Sequence, residues 1–233
     1  MDITKKRVRK VLSNKIHQLN DIIADIDVLL TGMETEYYRV CIFGSARIKP
    51  ESQLYQQAYD LATELSKRGV DIVTGGGPGL MEAANKAAKD VGSKSRSIGL
   101  PIELPFESDA NTHLDVKHHH RRFSSRLDEF MRISHAIIVT PGGIGTILEL
   151  FYTWQLIQVD HIKPRPIILM GEMWKGLLDY MNKNPLAENL MSASDFDSIT
   201  FCKTVDEAVA LLEPQIKGFY AKSKKSKKKT NIE

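Results

Sequence analysis

The sequence predicts an α/β fold, a Rossmann-like doubly wound parallel sheet with helices on both faces. Three observations carry that reading. Beyond Gly32, short β-branched runs alternate with helical stretches, the order expected of parallel strands joined by crossover helices. Glycine clusters stand directly after several of the runs, where strand gives way to helix. The chain has 233 residues and 42% hydrophobic content, enough for one large domain with a continuous core.

The elements follow in order. Val8, Leu12, Ile16, Leu19, Ile23, Ile26 and Leu30 recur at intervals of three and four, which predicts an amphipathic helix and an N-terminal arm over residues 1–36. The sheet domain then spans 37–216. Its first strand runs from Arg39 to Phe43 and its second from Asp71 to Thr74. Between them a helix begins after Pro50 and stops at Gly69, with Leu54, Ala58, Leu61, Ala62 and Leu65 along one face. A helix follows Gly79, a strand covers Ser97 to Leu100, and a helix is expected around His118 to Arg132. Strands from Ala136 to Thr140 and from Pro166 to Met170 frame a helix after Thr146. A helix near Trp174 to Met181 precedes a last strand from Ser198 to Phe201. From Lys217 the chain is rich in Lys and Ser and offers little to bury, so residues 217–233 are expected to be a disordered, solubilising tail.

Charge and cysteine usage narrow the function classes. The formal net charge is +3, and residues 222–233 hold six Lys against one Glu, so the remaining chain is close to neutral. Nucleic acid is therefore not an expected partner of the folded body. Cys41 and Cys202 have neither a CxxC spacing nor a second pair, so a disulfide framework or thiolate zinc site is not suggested, and a reducing compartment fits. The basic N-terminus lacks a following apolar stretch, and no run approaches the roughly 20 apolar residues of a membrane helix. Cytoplasm is the compartment expected by elimination.

The chemistry should lie where strands end. Gly44-Ser45 follows the first strand, Gly75-Gly76-Gly77-Pro78-Gly79 the second, and Pro141-Gly142-Gly143-Ile144-Gly145-Thr146 the fourth. Open α/β sheets bind ligands at this edge, beside the point where strand order reverses. Glycine lets backbone N–H groups approach an anion, and a following helix start adds a favourable dipole. The first turn has no GxGxxG and no GxxxxGK[ST] frame is present, so neither a dinucleotide nor a P-loop triphosphate is indicated. A single phosphate carried on a nucleoside remains. Glu149 lies three residues beyond Thr146, one helical turn inside the mouth. Phe123, Leu127 and Phe130 form a helical apolar stripe with Arg126 at its edge, where an arginine can hold a carboxylate and a phosphate. His118, His119 and His120, with His113 and Asp115 nearby, invite a metal reading. Neighbours on a helix point about 100° apart, so three consecutive histidines do not converge on one ion, and no metal is expected.

The block from Pro141 to Glu149, with Arg126 twenty-three positions before the glutamate, resembles the PGGxGTxxE signature of the LOG family. The run Gly75 to Asn85 resembles that family's other glycine-rich block, and Gly99 to Pro105 its following strand and loop. LOG proteins are nucleoside 5′-monophosphate phosphoribohydrolases long mislabelled as lysine decarboxylases. The resemblance implies hydrolysis of the N-glycosidic bond of AMP-like or cytokinin riboside monophosphates, by homodimers that need neither organic cofactor nor metal. It implies that Gly142, Gly143, Gly145 and Thr146 cradle the 5′-phosphate. Gly44, Ser45, Gly76 and Gly77 would line the nucleotide pocket, and Arg126 and Glu149 form the catalytic pair, the arginine keeping the glutamate ionised. Ile144, Leu148 and Leu127 stand where many cytokinin-activating members have Tyr, a second acid and Lys, so base selectivity is open. A non-catalytic nucleotide or molybdenum-cofactor carrier on the same fold is the alternative. Lysine decarboxylation would need a lysine bound to pyridoxal phosphate, and nothing in the chain marks one.

Overall fold

A computed structural model describes residues 8–16, 19, 23, 36–92, 95–102 and 110–230, without side chains for 224–230. It comprises two units, Met1–Glu36 and Tyr37–Glu233. In the first, residues 8–16 are helical (α1). The stripe residues Val8, Leu12, Ile16, Leu19 and Ile23 are exposed, while Ile26 and Leu30 lie outside the described residues.

The second unit is built on seven strands: β1 Arg39–Phe43, β2 Asp71–Thr74, β3 Ser97–Gly99, β4 Val116–Lys117, β5 Ala136–Val139, β6 Ile167–Met170 and β7 Ile199–Cys202. They form one parallel sheet in the order β4-β3-β2-β1-β5-β6-β7. The helices are α2 Gln53–Lys67, α3 Leu80–Val91, α4 Phe123–Ile133, α5 Ile144–Gln158, α6 Met173–Met181 and α7 Val205–Thr230. None among the described residues is long and apolar enough to cross a membrane.

Side-chain alternation sorts the strands onto two cores. Val40, Ile42, Ile72, Ile138 and Ile168 pack with Leu61, Leu65, Ala84, Leu212 and Ile216, whereas Cys41, Phe43, Val73, Ile137, Val139, Ile167 and Leu169 pack with Phe130, Leu150, Trp154 and Trp174. A strand whose successive side chains both meet helices has no solvent face. Every residue of β1, β2, β5 and β6 is accordingly buried. The chain leaves β1 in one direction through β2, β3 and β4, then crosses back to β5 on the other side of β1. That reversal opens a crevice above the carboxyl ends of β1 and β5.

Three expectations are corrected. The stretch from His118 to Arg122 is extended rather than helical: His118 N donates to Gly99 O (3.0 Å) and His120 N to Pro101 O (2.9 Å), continuing the ladder begun by the unforeseen strand β4. Pairing along the edge of the sheet outcompetes local helix formation there. Helix α5 starts at Ile144, before Thr146. The C-terminal helix α7 runs through the predicted tail as far as Thr230, so the fold does not stop at residue 216. The reason lies in two aromatics within the Lys-Ser run. Phe219 packs edge-on to His135 and Tyr38, while the Tyr220 hydroxyl donates to Gly69 O (2.6 Å) and accepts from Tyr38 N (3.2 Å).

Candidate active site

Three βα turns meet at the crevice, and their hydrogen bonds explain why each needs its residues. Ser45 joins them: its N–H donates to Pro141 O (3.1 Å) and its carbonyl accepts from Leu80 N (3.0 Å). A Cβ on Gly44 would fall 2.3 Å from Thr140 Oγ1, and one on Gly79, whose φ is +70°, would fall 2.4 Å from Ser45 O. Only glycine permits this approach and this backbone.

The second turn rests on a buried polar network. Gly76 N donates to Thr74 Oγ1 (2.9 Å), whose hydroxyl donates to Asn85 Oδ1 (2.6 Å). Asn85 Nδ2 donates to Ser97 Oγ (2.9 Å), and Asn111 Nδ2 donates to both Asn85 Oδ1 (3.0 Å) and Gly77 O (2.9 Å). Thr74, Asn85 and Ser97 are fully buried, so these bonds replace water that the site excludes.

At the third turn Gly143 precedes α5 and no side chain caps the helix. The N–H groups of its first turn have no intrahelical acceptor and carry the positive end of the helix dipole. A Cβ on Gly143 or Gly145 would meet nothing within 4 Å, so the backbone there is open to the cleft. The side chain of Thr146 occupies the space that a Cβ on Gly142 would need, at 2.1 Å from Oγ1.

The cleft holds about 470 Å³ and is lined by Gly44, Ser45, Gly76, Gly77, Arg126, Gly143, Gly145, Thr146 and Glu149, together with Gly75, Arg47 and apolar groups including Met81, Ile102, Phe123 and Ile144. Of the ten residues expected to bind or cut the nucleotide, Gly142 alone is not part of the lining.

Arg126 and Glu149 approach at 3.5 Å, Nη1 to Oε1, with both side chains nearly buried. The guanidinium is fixed on its other edges: Nε donates to Leu100 O (2.6 Å) and Cζ lies 5.1 Å from the Phe130 ring centroid. Gly75 makes room for it, since a Cβ there would fall 2.1 Å from Arg126 Nη2. Burial raises the Glu149 carboxyl to about 7 and Arg126 lowers it only in part. At the limit of hydrogen-bond distance, charge pairing offsets only part of the cost of burial.

The histidines point to separate partners. His118 Nδ1 lies 3.2 Å from Glu129 Oε1, His120 Nδ1 lies 3.3 Å from Ser125 Oγ, and His113 Nε2 lies 3.9 Å from Glu82 Oε1. Among the described residues no group of three or more His, Cys, Asp or Glu is placed to hold a metal ion.

Gly75, Asn85 and Asn111 escaped the sequence reading as individual contributors. Asn85 carried a usable signal, a polar residue among the alanines of the buried face of α3. Asn111 carried none, because its partners lie far away in sequence. Glu103, Leu104 and Pro105, at the end of the third block, lie outside the described residues.

A family model described as "Possible lysine decarboxylase" matches residues 81–212. The chain is 31% identical over 186 residues to the probable cytokinin riboside 5′-monophosphate phosphoribohydrolase LOGL6 of Oryza sativa subsp. japonica, covering 78% of this chain and 72% of that protein. It is 29% identical over 187 residues to cytokinin riboside 5′-monophosphate phosphoribohydrolase LOG3 of Arabidopsis thaliana, covering 77% and 84%. Among solved structures, the molybdenum cofactor binding protein of Rippkaea orientalis superimposes with a TM-score of 0.59 at 17% identity over 78% of this chain and 98% of that one. The molybdenum cofactor carrier protein of Chlamydomonas reinhardtii gives 0.57 at 17% identity over 78% and 99%. At such identities these two structures speak for the shared fold alone. The sequence relatives and the matched model place the chain in the LOG family, to which it belongs.

Proposed function

We propose that the protein hydrolyses the N-glycosidic bond of nucleoside 5′-monophosphates, releasing free base and ribose 5-phosphate. The observation that carries this reading is the buried pair of Arg126 and Glu149 in a cleft whose rim is an uncapped helix N-terminus. Breaking the bond between C1′ and the base leaves positive charge on the ribose ring, which a nearby carboxylate stabilises while water adds to C1′. Glu149 takes that role. Arg126, held by Leu100 O, keeps the carboxylate in position. The 5′-phosphate sits on the N–H groups at Gly143, Gly145 and Thr146, and this binding energy, remote from the reacting bond, anchors the ribose over Glu149. The relatives' printed names support a phosphoribohydrolase, and we extend it to a cytoplasmic homodimer. AMP is a candidate substrate alongside cytokinin riboside monophosphates, a reading that Ile144, Leu148 and Leu127 support.

The test is chromatography of free base from a panel of AMP, GMP, CMP, UMP and isopentenyladenosine monophosphate. Release from at least one supports the hydrolase and gives its preference. Tight binding with no release from any of them favours the carrier alternative.

A further inference from the structure

The charged side chains lining the cleft among the described residues are Arg47, Arg126 and Glu149. Two of them are committed to each other, and Arg126 is held as well by Leu100 O. Arg47 differs. Its backbone N–H donates to Ser45 Oγ (3.1 Å), which sets the turn. Its side chain is exposed in the lining of the cleft, and among the described residues it makes no hydrogen bond, ion pair or ring contact. The segment that carries it is fastened on both sides by Ser45, to Pro141 of the third turn and to Leu80 at the start of α3. An uncommitted cation is thus mounted on the part of the rim that joins both glycine-rich turns.

Charge balance says what it meets. A phosphate monoester carries about −1.5 to −2 at neutral pH. A helix N-terminus offers the equivalent of roughly +0.5, and the charge of Arg126 is shared with Glu149. Among the described residues this leaves about one negative charge on the ligand without a counterpart, and a planar guanidinium can supply it through two parallel hydrogen bonds. We propose that Arg47 closes over the cleft and clamps the 5′-phosphate, making it the residue that separates a nucleotide from its uncharged nucleoside. This deepens the hydrolase reading, and rests on it only for the ligand being a phosphate monoester.

The experiment is calorimetric titration of ribose 5-phosphate into wild type, Arg47→Ala, Arg47→Glu and Arg47→Lys at low and moderate salt, with thermal unfolding of each as a check on folding. The expected result is a loss of affinity of about tenfold or more in the alanine variant and a larger loss in the glutamate variant. Lysine restores part of it, and the fall of affinity with salt is shallower in alanine than in wild type. Alanine and glutamate variants that bind within about twofold of wild type overturn the assignment, as does wild type that fails to bind ribose 5-phosphate. Base release from AMP, followed on the same samples, keeps the two proposals apart. Arg47-dependent binding without release removes the hydrolase and leaves the clamp, whereas release with Arg47-independent binding does the reverse.

Discussion

Burial and charge pairing pull Glu149 in opposite directions, and burial prevails, leaving the carboxyl at about 7. A carboxylate that stabilises a cationic ring works only when ionised. The ionised fraction grows as pH rises through the group's pKa, so kcat/KM for AMP should climb between about pH 6 and pH 8 and then level off. A flat profile over that window would show that Arg126 already holds the carboxyl ionised and that burial does not prevail. Gly75 provides a second test at the same scale. A new Cβ there would fall 2.1 Å from Arg126 Nη2 and 2.8 Å from Met81 Sδ, both side-chain atoms, so Gly75→Ala displaces the guanidinium from its place beside Leu100 O rather than moving the backbone. We expect turnover to drop by about 10²-fold, as a displacement of about an ångström in a catalytic group can cause, with the unfolding midpoint nearly unchanged. Equal losses of stability and activity would show a packing role instead.

At the scale of elements, the strands were legible because burial on both faces leaves continuous apolar runs. The glycine-rich turns were legible because tight approach and positive φ at Gly76 and Gly79 leave few other residues. Less legible were elements whose reason lies elsewhere in the chain. Strand β4 is two residues long and exists through its pairing with β3, and the same ladder holds His118 and His120 out of α4. The composition of the last stretch concealed Phe219 and Tyr220, which continue α7 against the body of the domain. The polar network beneath Gly76 and Gly77 links β2, α3, β3 and the segment around Asn111, and Asn85 is its centre. Asn85→Ala removes the acceptor of the buried Thr74 hydroxyl and the donor to the buried Ser97 Oγ, while Thr74 keeps Gly76 N and Asn111 keeps Gly77 O. It should cost about 2–4 kcal/mol in urea unfolding and weaken nucleotide binding with it. A variant as stable as wild type would mean that water enters and replaces the amide.

For the molecule as a whole, the C-terminal helix divides into a part that packs and a part rich in lysine. Deleting residues 224–233 should leave AMP turnover intact. Deleting from Lys217 also removes the contacts of Phe219 with His135 and of Tyr220 with Gly69, and should lower the unfolding midpoint by roughly 4–8 °C. Equal midpoints for the two truncations would contradict the packing assigned to those aromatics. All three scales meet in one cleft, where turns from three strands bring together a helix N-terminus and a buried carboxylate; in the proposed reaction the first holds the 5′-phosphate and the second acts at the bond to the base. The measurement that tests it most directly is adenine release from AMP by wild type and Glu149→Gln, with AMP affinity measured on both. Wild type should yield adenine and ribose 5-phosphate, and the glutamine variant should bind within a few-fold of wild type without release. Near-wild-type turnover by Glu149→Gln, or binding without cleavage by wild type, would contradict it.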